Sequence, residues 1–342
     1  MTLYLLGLGL GSLEYLTLGV VKEIENCDEV YLDSYTGFIS KELREWLEKK
    51  IGGKLVMASR RDLEDNLLEI INKAKDRNVG VLVQGDPLIA TTHISLVIEA
   101  VKRGVSYKII HGVSAYSAAP SIAGLQVYRF GKTTTLATEG DSKETYRVIQ
   151  ENLERGLHTL VLLDTFGGGL TIDRALKKLL DVEESLGRGI VREDTLVVAL
   201  AGIGTDREFI KAGVVKELIE LDYPPPPHMM IIVGELHFME AEALIRLHNI
   251  REELVKKHKP PRYEKDRTFK YIVKTRSVLE SLEIKDSDKN VERVIELANS
   301  YLEDATIYWS SGELYNALAS IAYAEGLLDS LRIIGKVHFE WP

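Results

Sequence analysis

Hydrophobic and polar positions follow two rhythms along the chain. Up to about residue 250, short apolar runs alternate with amphipathic stretches, a pattern that predicts parallel strands covered by helices on both faces. Strands are predicted at Leu3 to Leu6, Glu29 to Leu32, Lys54 to Met57, Val79 to Val83 and Tyr107 to Ile110. Helices fall between them at Thr17 to Glu25, Lys41 to Lys49, Leu63 to Lys75 and Ile94 to Arg103. In the third of these, Leu67, Ile70, Ile71 and Ala74 share one face of a helix and are expected to be buried.

A second series starts near His111, with strands predicted at Thr133 to Ala137, Thr159 to Leu163, Thr195 to Leu200 and Met229 to Val233. Its helices are predicted at Glu144 to Leu153, Asp173 to Glu184 and Glu240 to His248. Two α/β domains in series, 1–110 and 111–250, would leave a cleft between them. Ligands of open α/β sheets bind beyond the carboxyl ends of strands, so the cleft is where a site is expected.

From Arg251 the rhythm breaks. Lys256, Lys257, Lys259, Pro260, Pro261 and Arg262 suggest a charged, proline-broken linker over 251–264, and no strand pattern follows it. Val291, Val294, Ile295, Ala298, Leu302 and Ala305 keep a helical period, and Leu314, Leu318, Ile321, Leu328 and Leu331 roughly continue it in a further helix. With Thr268 to Leu282 as a third, residues 265–342 are expected to form a small antiparallel helical bundle.

Composition narrows the function. A chain of 342 residues, 45% hydrophobic, can bury two or three cores. With 43 basic and 52 acidic residues the net charge is −9, which argues against direct nucleic-acid binding as the main role. The longest apolar runs, Thr195 to Ala201 and Met229 to Val233, fall far short of the ~20 residues a membrane helix needs. The chain opens on a strand-like segment without a signal pattern, so no membrane association and a cytoplasmic location are expected. Cys27, the single cysteine, leaves no intrachain disulfide to form and makes a structural zinc site an unpromising reading.

Candidate chemistry sits at predicted strand ends. Gly7, Gly9 and Gly11 follow the first strand and would let a ligand approach the backbone, or would simply mark a turn at the strand end; Ser12 stands where a dinucleotide fingerprint needs a third spaced glycine. Gly85 and Pro87 turn the chain after Val79 to Val83 and hold Asp86 where a cleft would open. Asp86 could accept hydrogen bonds from a ligand amine or ribose, or act as an ordinary turn aspartate. Ser114, in a run of small residues after His111, could bond a flat ring lying on the backbone, or the run could serve tight helix-on-sheet packing. Leu160 to Asp164, a buried strand ending in a carboxylate, carries the same ambiguity. His228 follows the Pro224 to Pro227 run, whose extended polyproline geometry could present it at the cleft with little freedom, or it could be an ordinary surface or capped residue at a strand start.

Taken in order, several segments resemble the archaeal diphthine synthases. They are Leu3-Tyr4-Leu5-Leu6-Gly7-Leu8-Gly9-Leu10, Cys27-Asp28-Glu29-Val30-Tyr31, Ser34-Tyr35-Thr36, Gly85 to His93, and Gly124 to Lys132. The likeness continues through Glu154 to Leu160, Asp194 to Ala201, Ala212 to Lys216, Pro226-Pro227-His228 and Gly234-Glu235-Leu236-His237. It covers roughly residues 1–250. The resemblance implies a two-domain α/β fold of the tetrapyrrole-methylase type with an interdomain cleft. The helical bundle at the C-terminus lies outside it and is similar to a small archaeal helical domain without an assigned role.

The resemblance also implies a function. S-adenosylmethionine would bind in the cleft, against Leu10, Asp86, Ile89, Ser114, Ala115, Leu163, Ile203 and His228, and leave as S-adenosylhomocysteine. The acceptor would be the amino group of a modified histidine on translation elongation factor 2, and the protein would be a homodimer. The donor is already activated, so alignment and exclusion of water are the main tasks, and no catalytic residue is assigned. Residues 139–146, 164–169 and 201–204 depart from the family pattern in loops expected to face the protein substrate. A tetrapyrrole (cobalt-precorrin) methyltransferase on the same fold, and a non-catalytic paralogue that binds cofactor or partner, are the rival readings.

Overall fold

A computed structural model describes residues 1–342 apart from Thr36, Arg262 and Ser287, with Tyr263 to Asp266 described by backbone alone. Thr36 of the Ser34-Tyr35-Thr36 segment and Arg262 of the expected linker therefore lie outside the described residues. The chain divides into two units, Met1–Pro260 and Pro261–Pro342.

The first half of the larger unit runs β1 (Thr2–Gly7), α1 (Leu18–Glu25), β2 (Glu29–Asp33), α2 (Lys41–Ile51), β3 (Leu55–Ala58), α3 (Arg60–Leu63), α4 (Leu67–Asp76), β4 (Val79–Val83), α5 (Ile94–Lys102) and β5 (Ser106–Ile110). Its strands form a parallel sheet in the order β3-β2-β4-β1-β5. Side chains alternate across this sheet. Leu3, Leu5, Val79, Val81 and Val83 pack with Ile70, Ile71, Leu96 and Ala100, while Leu6, Leu8 and Leu82 pack with Val20, Ile24, Leu43 and Leu47 on the other face. The single helix expected from Leu63 is two, because Ser59 and Asp62 form a capping box that starts a helix earlier and the chain turns again before Leu67.

The second half continues with α6 (Ala115–Ala123), β6 (Thr134–Leu136), α7 (Lys143–Glu154), β7 (Thr159–Leu163), α8 (Ile172–Leu186), β8 (Leu196–Ala201), β9 (Phe209–Val214), α9 (Val215–Leu218), β10 (His228–Ile232), α10 (Phe238–His248) and α11 (Glu252–Lys257). Here the expectation of parallel strands fails. The sheet order is β6-β7-β10-β8-β9, and only β6 and β7 run parallel. The physical reason is the 202–208 turn, where Gly202 (φ 55°) and Gly204 (φ 73°) adopt left-handed conformations that reverse the chain into a β8–β9 hairpin. β10 then enters between β7 and β8, antiparallel to both. At the start of the expected linker, residues Glu252–Lys257 form α11, and Val255 joins the core formed by Leu200, Met229, Ile231 and Leu244.

The smaller unit holds α12 (Tyr263–Ser281), β11 (Glu283–Ile284), α13 (Lys289–Ser311), α14 (Leu314–Ile333) and β12 (Val337–His338). Gly312, left-handed at φ 85°, closes α13 and allows α14 to return along it. The pairing shows in the core: Val291 and Ala298 meet Leu328 and Leu331, and Leu302 and Ala305 meet Ile321 and Ala324. Val278 and Ile272 of α12 complete these two clusters. A short antiparallel pair, β11 with β12, closes the unit where no strand was expected from the sequence.

Candidate active site at the strand ends

β1 lies between β4 and β5, and the three carboxyl ends carry Gly7 to Gly11, Gln84 to Asp86, and His111 to Ser114. The backbones cross closely there. Gly85 N donates to Gly9 O at 2.7 Å, and Gly9 N returns a bond to Gly85 O at 3.2 Å. A Cβ added at Gly7 would lie 2.5 Å from Gly112 N and 2.7 Å from Gly85 O. At Gly9 it would meet Tyr15 O at 2.4 Å, and at Gly11 Phe38 O at 2.5 Å. The glycines therefore let backbone approach backbone, and the chain itself fills the positions that their Cβ atoms would take.

Asp86 is buried. Its Oδ1 accepts from Leu88 N at 3.0 Å, and its Oδ2 lies 2.7 Å from Nδ1 of the exposed His111. The turn role is thus realised, with one lone pair per oxygen left over for a ligand donor. Ile89 ends this turn at 39% exposure. Ser114 caps α6, its Oγ accepting from Tyr116 N at 3.2 Å, and Ala115 packs from the first turn of α6 onto the second core.

On the second sheet, His228 begins β10 opposite Ala201 of β8. The preceding run carries a cis peptide between Pro226 and Pro227, departing from the extended polyproline geometry expected. The His228 ring is buried against Tyr223, with centroids 5.8 Å apart, and its Nε2 donates to Pro224 O at 2.6 Å. Burial holds its pKa below the usual histidine value despite the Pro224 carbonyl, which favours the neutral ring, and Nδ1 is an acceptor without a partner among the described residues. Leu163 ends β7 one residue beyond Leu162, which pairs with Met229. Asp164 follows it. Burial pushes that carboxyl up, but the Phe166 and Thr138 N–H groups win and keep it below the ordinary range.

Two hydroxyls tie the strand-end loops of the two halves together. Ser12 Oγ donates to Gly204 O at 2.7 Å, and Thr165 Oγ1 donates to Tyr35 O at 3.1 Å. Leu10 and Ile203 share one apolar cluster, against which Ala115 packs. Asp86 and Ser114 stand beside it around Gly85, whose added Cβ would be 3.8 Å from Ser114 Cα. Gly202 N donates to Pro227 O at 3.2 Å and so joins the Ile203 loop to the His228 segment. Ile89 stands farther out on its exposed turn.

Sequence reasoning passed over a second polar group at the ends of β2 and β4. His93 is fully buried, its Nε2 3.5 Å from Asp33 Oδ2 and 3.5 Å from the Tyr35 hydroxyl. That hydroxyl is 3.4 Å from Glu64 Oε1, to which Thr92 Oγ1 donates at 2.7 Å. Burial, then the Asp33 and Glu64 charges, push the Tyr35 phenol up to about 12, and burial keeps His93 neutral. The available signal was slight: Asp33 closes a buried strand, and His93 stands immediately before α5, ten residues beyond β4.

Two α/β halves tied together through their strand-end loops carry a match to a methylase family: residues 2–219 match the family described as Tetrapyrrole (Corrin/Porphyrin) Methylases. Residues 270–337 match another, described as a protein of unknown function, DUF357. Diphthine synthase of Methanocaldococcus jannaschii is 42% identical over 250 residues, covering 71% of this chain and 97% of the relative. That of Staphylothermus marinus is 39% identical over 264 residues, covering 75% and 97%. A crystal structure of diphthine synthase superimposes with a TM-score of 0.68 at 32% identity, covering 75% of this chain and 99% of the other. The chain belongs to the tetrapyrrole methylases and, among them, to the diphthine synthases, and is a methyltransferase.

Proposed function

We propose that the chain transfers methyl groups from S-adenosylmethionine to the amino group of the modified histidine of translation elongation factor 2, giving diphthine. Membership of the diphthine synthases supports the substrate. The observation that carries the cofactor reading is His228, whose buried Nδ1 lacks the donor that an amino group of the cofactor would supply. Leu10, Asp86, Ile89, Ser114, Ala115, Leu163, Ile203 and His228 would hold it.

Bound there, the cofactor supplies a methyl group already activated on a sulfonium. The chain's part is placement. Asp86 and His228 offer acceptors to amino groups, while Leu163, Ile203 and Ile89 supply apolar walls that keep water from the displacement. The same reading takes the protein as a cytoplasmic homodimer that acts on a protein and binds neither nucleic acid nor membrane. Among the described residues no helix is long and apolar enough to cross a membrane.

The test is to incubate the protein with labelled cofactor and elongation factor 2 bearing the modified histidine, then follow mass on the factor. Methyl mass on that residue is the expected result. Transfer to a precorrin instead would replace this reading with the tetrapyrrole one, and cofactor binding without any transfer would leave a non-catalytic paralogue.

A further inference from the structure

The polar group at the ends of β2 and β4 is not used by the proposed cofactor contacts. It runs from a buried floor, Asp33 and His93, to a rim formed by Tyr35, Thr92 and Glu64, whose side chain is 23% exposed. Arg60 Nε lies 2.8 Å from Glu64 Oε2 and is itself largely in solvent. Among the described residues the Nδ1 atom of the fully buried His93 makes no hydrogen bond of good geometry, although the Pro87 carbonyl also acts on the ring.

The loop after β7 borders the same place. Thr165 is bonded to the Tyr35 carbonyl, and Asp164 lies close enough to Arg60 for each to shift the other's titration. Phe166, held by the Asp164 carboxylate through its N–H, leaves its ring 65% exposed. The Asp33, His93, Tyr35, Glu64 and Arg60 group and the Asp164 to Phe166 loop thus adjoin one another through the Thr165 bond to the Tyr35 carbonyl.

The geometry points to Tyr35, Glu64 and Phe166 as the subsite that receives the amine-bearing arm of the protein substrate. This deepens the methyl-transfer reading and rests on its substrate being an amine. An ammonium that gains methyl groups keeps its positive charge but loses its N–H donors. Carboxylate charge and aromatic faces are what can still hold it, so one subsite serves the arm through successive transfers.

Glu64→Gln removes the charge with little change of shape, and Phe166→Ala removes a ring that is mostly in solvent. Each is expected to raise KM for the modified elongation factor by about 3- to 30-fold. Thermal unfolding and the Kd for S-adenosylhomocysteine should stay at wild-type values. A subsite role also predicts a shift of the mass-resolved product pattern toward lower methylation states, which a purely structural role would not produce. Unchanged KM and product pattern in both variants would overturn the proposal. A second measurement separates its failure from that of the substrate reading: tetramethylammonium titrated into the wild-type protein should shift the NMR signals of Tyr35 and Phe166, and Glu64→Gln should weaken that response. No shift in the wild type sinks the subsite even if methyl transfer is observed. A shift without transfer to elongation factor sinks the substrate assignment and leaves a cation site.

Discussion

Replacing Gly7 by alanine tests the crossing of the three strand ends directly. The added Cβ would sit 2.5 Å from Gly112 N, 2.7 Å from Gly85 O and 2.8 Å from Gly112 Cα. Comfortable contacts between heavy atoms lie near ~3.5–4.0 Å, so one segment must retreat by about 1 Å. The obstacles are backbone atoms, which cannot rotate aside, and Gly85 O already accepts from Gly9 N. Overpacking of this kind costs about 1–3 kcal/mol, and the upper end is expected here, less a few tenths for the stiffer unfolded chain. In a domain of this size that lowers Tm by roughly 5–10 °C. The control is Gly53→Ala, where no atom lies within 4 Å and the backbone is outside the left-handed region, so Tm should scarcely move. Differential scanning calorimetry of both variants, with cofactor affinity by titration calorimetry, reads the outcome. Equal Tm for Gly7→Ala and Gly53→Ala would refute the crossing as described.

Other outcomes follow from the site and the buried charges. Asp86→Ala should weaken cofactor binding by about 10-fold or more, judged from one charge-assisted bond, and an unchanged Kd would leave Asp86 as a turn residue only. Glu240 is fully buried and accepts from Gln126 N and His237 N while facing His158 and Arg129, so Glu240→Ala should cost about 3–5 kcal/mol in denaturant unfolding. His228, His248 and His258 are held neutral mainly by burial, below their ordinary value of 6.5. The unfolded chain therefore takes up protons first: stability is complete above about pH 6.5 and declines as pH falls toward the depressed folded values. A flat Tm between roughly pH 7 and 5 would contradict that. Finally, the M. jannaschii relative is matched over 97% of its length by 71% of this chain. A chain ended at Pro260 should thus remain folded and active in the transfer assay, and loss of activity would give the helical unit a part in catalysis.

What could be read from the residues depended on whether the signal was local. The β1, β4 and β7 runs are continuous and apolar, and their strand ends are where Leu10, Asp86 and Leu163 sit. β9 was missed because Phe209 to Val214 mixes Lys211, Ala212 and Gly213 at a sheet edge, where only part of the strand is buried. α6 was hidden by its small residues: Ala119 and Ala123 are fully buried, yet alanine and serine give little contrast between faces. The direction of β10 depends on a partner chosen across the fold, and no local pattern encodes that. Asp86 shows the same limit at the site, since its bond from Leu88 N is local but only the fold brings His111 to it.

The place of β10 has a further consequence for synthesis. It fills the slot between β7 and β8, yet it is the last strand of its sheet to leave the ribosome. Until His228 to Ile232 emerge, β7 and β8 have no bond to each other and must wait with apolar edges open. A nascent chain stopped anywhere short of that strand would carry two sticky borders, making fragments of this protein hazardous well after most of its core residues have been made.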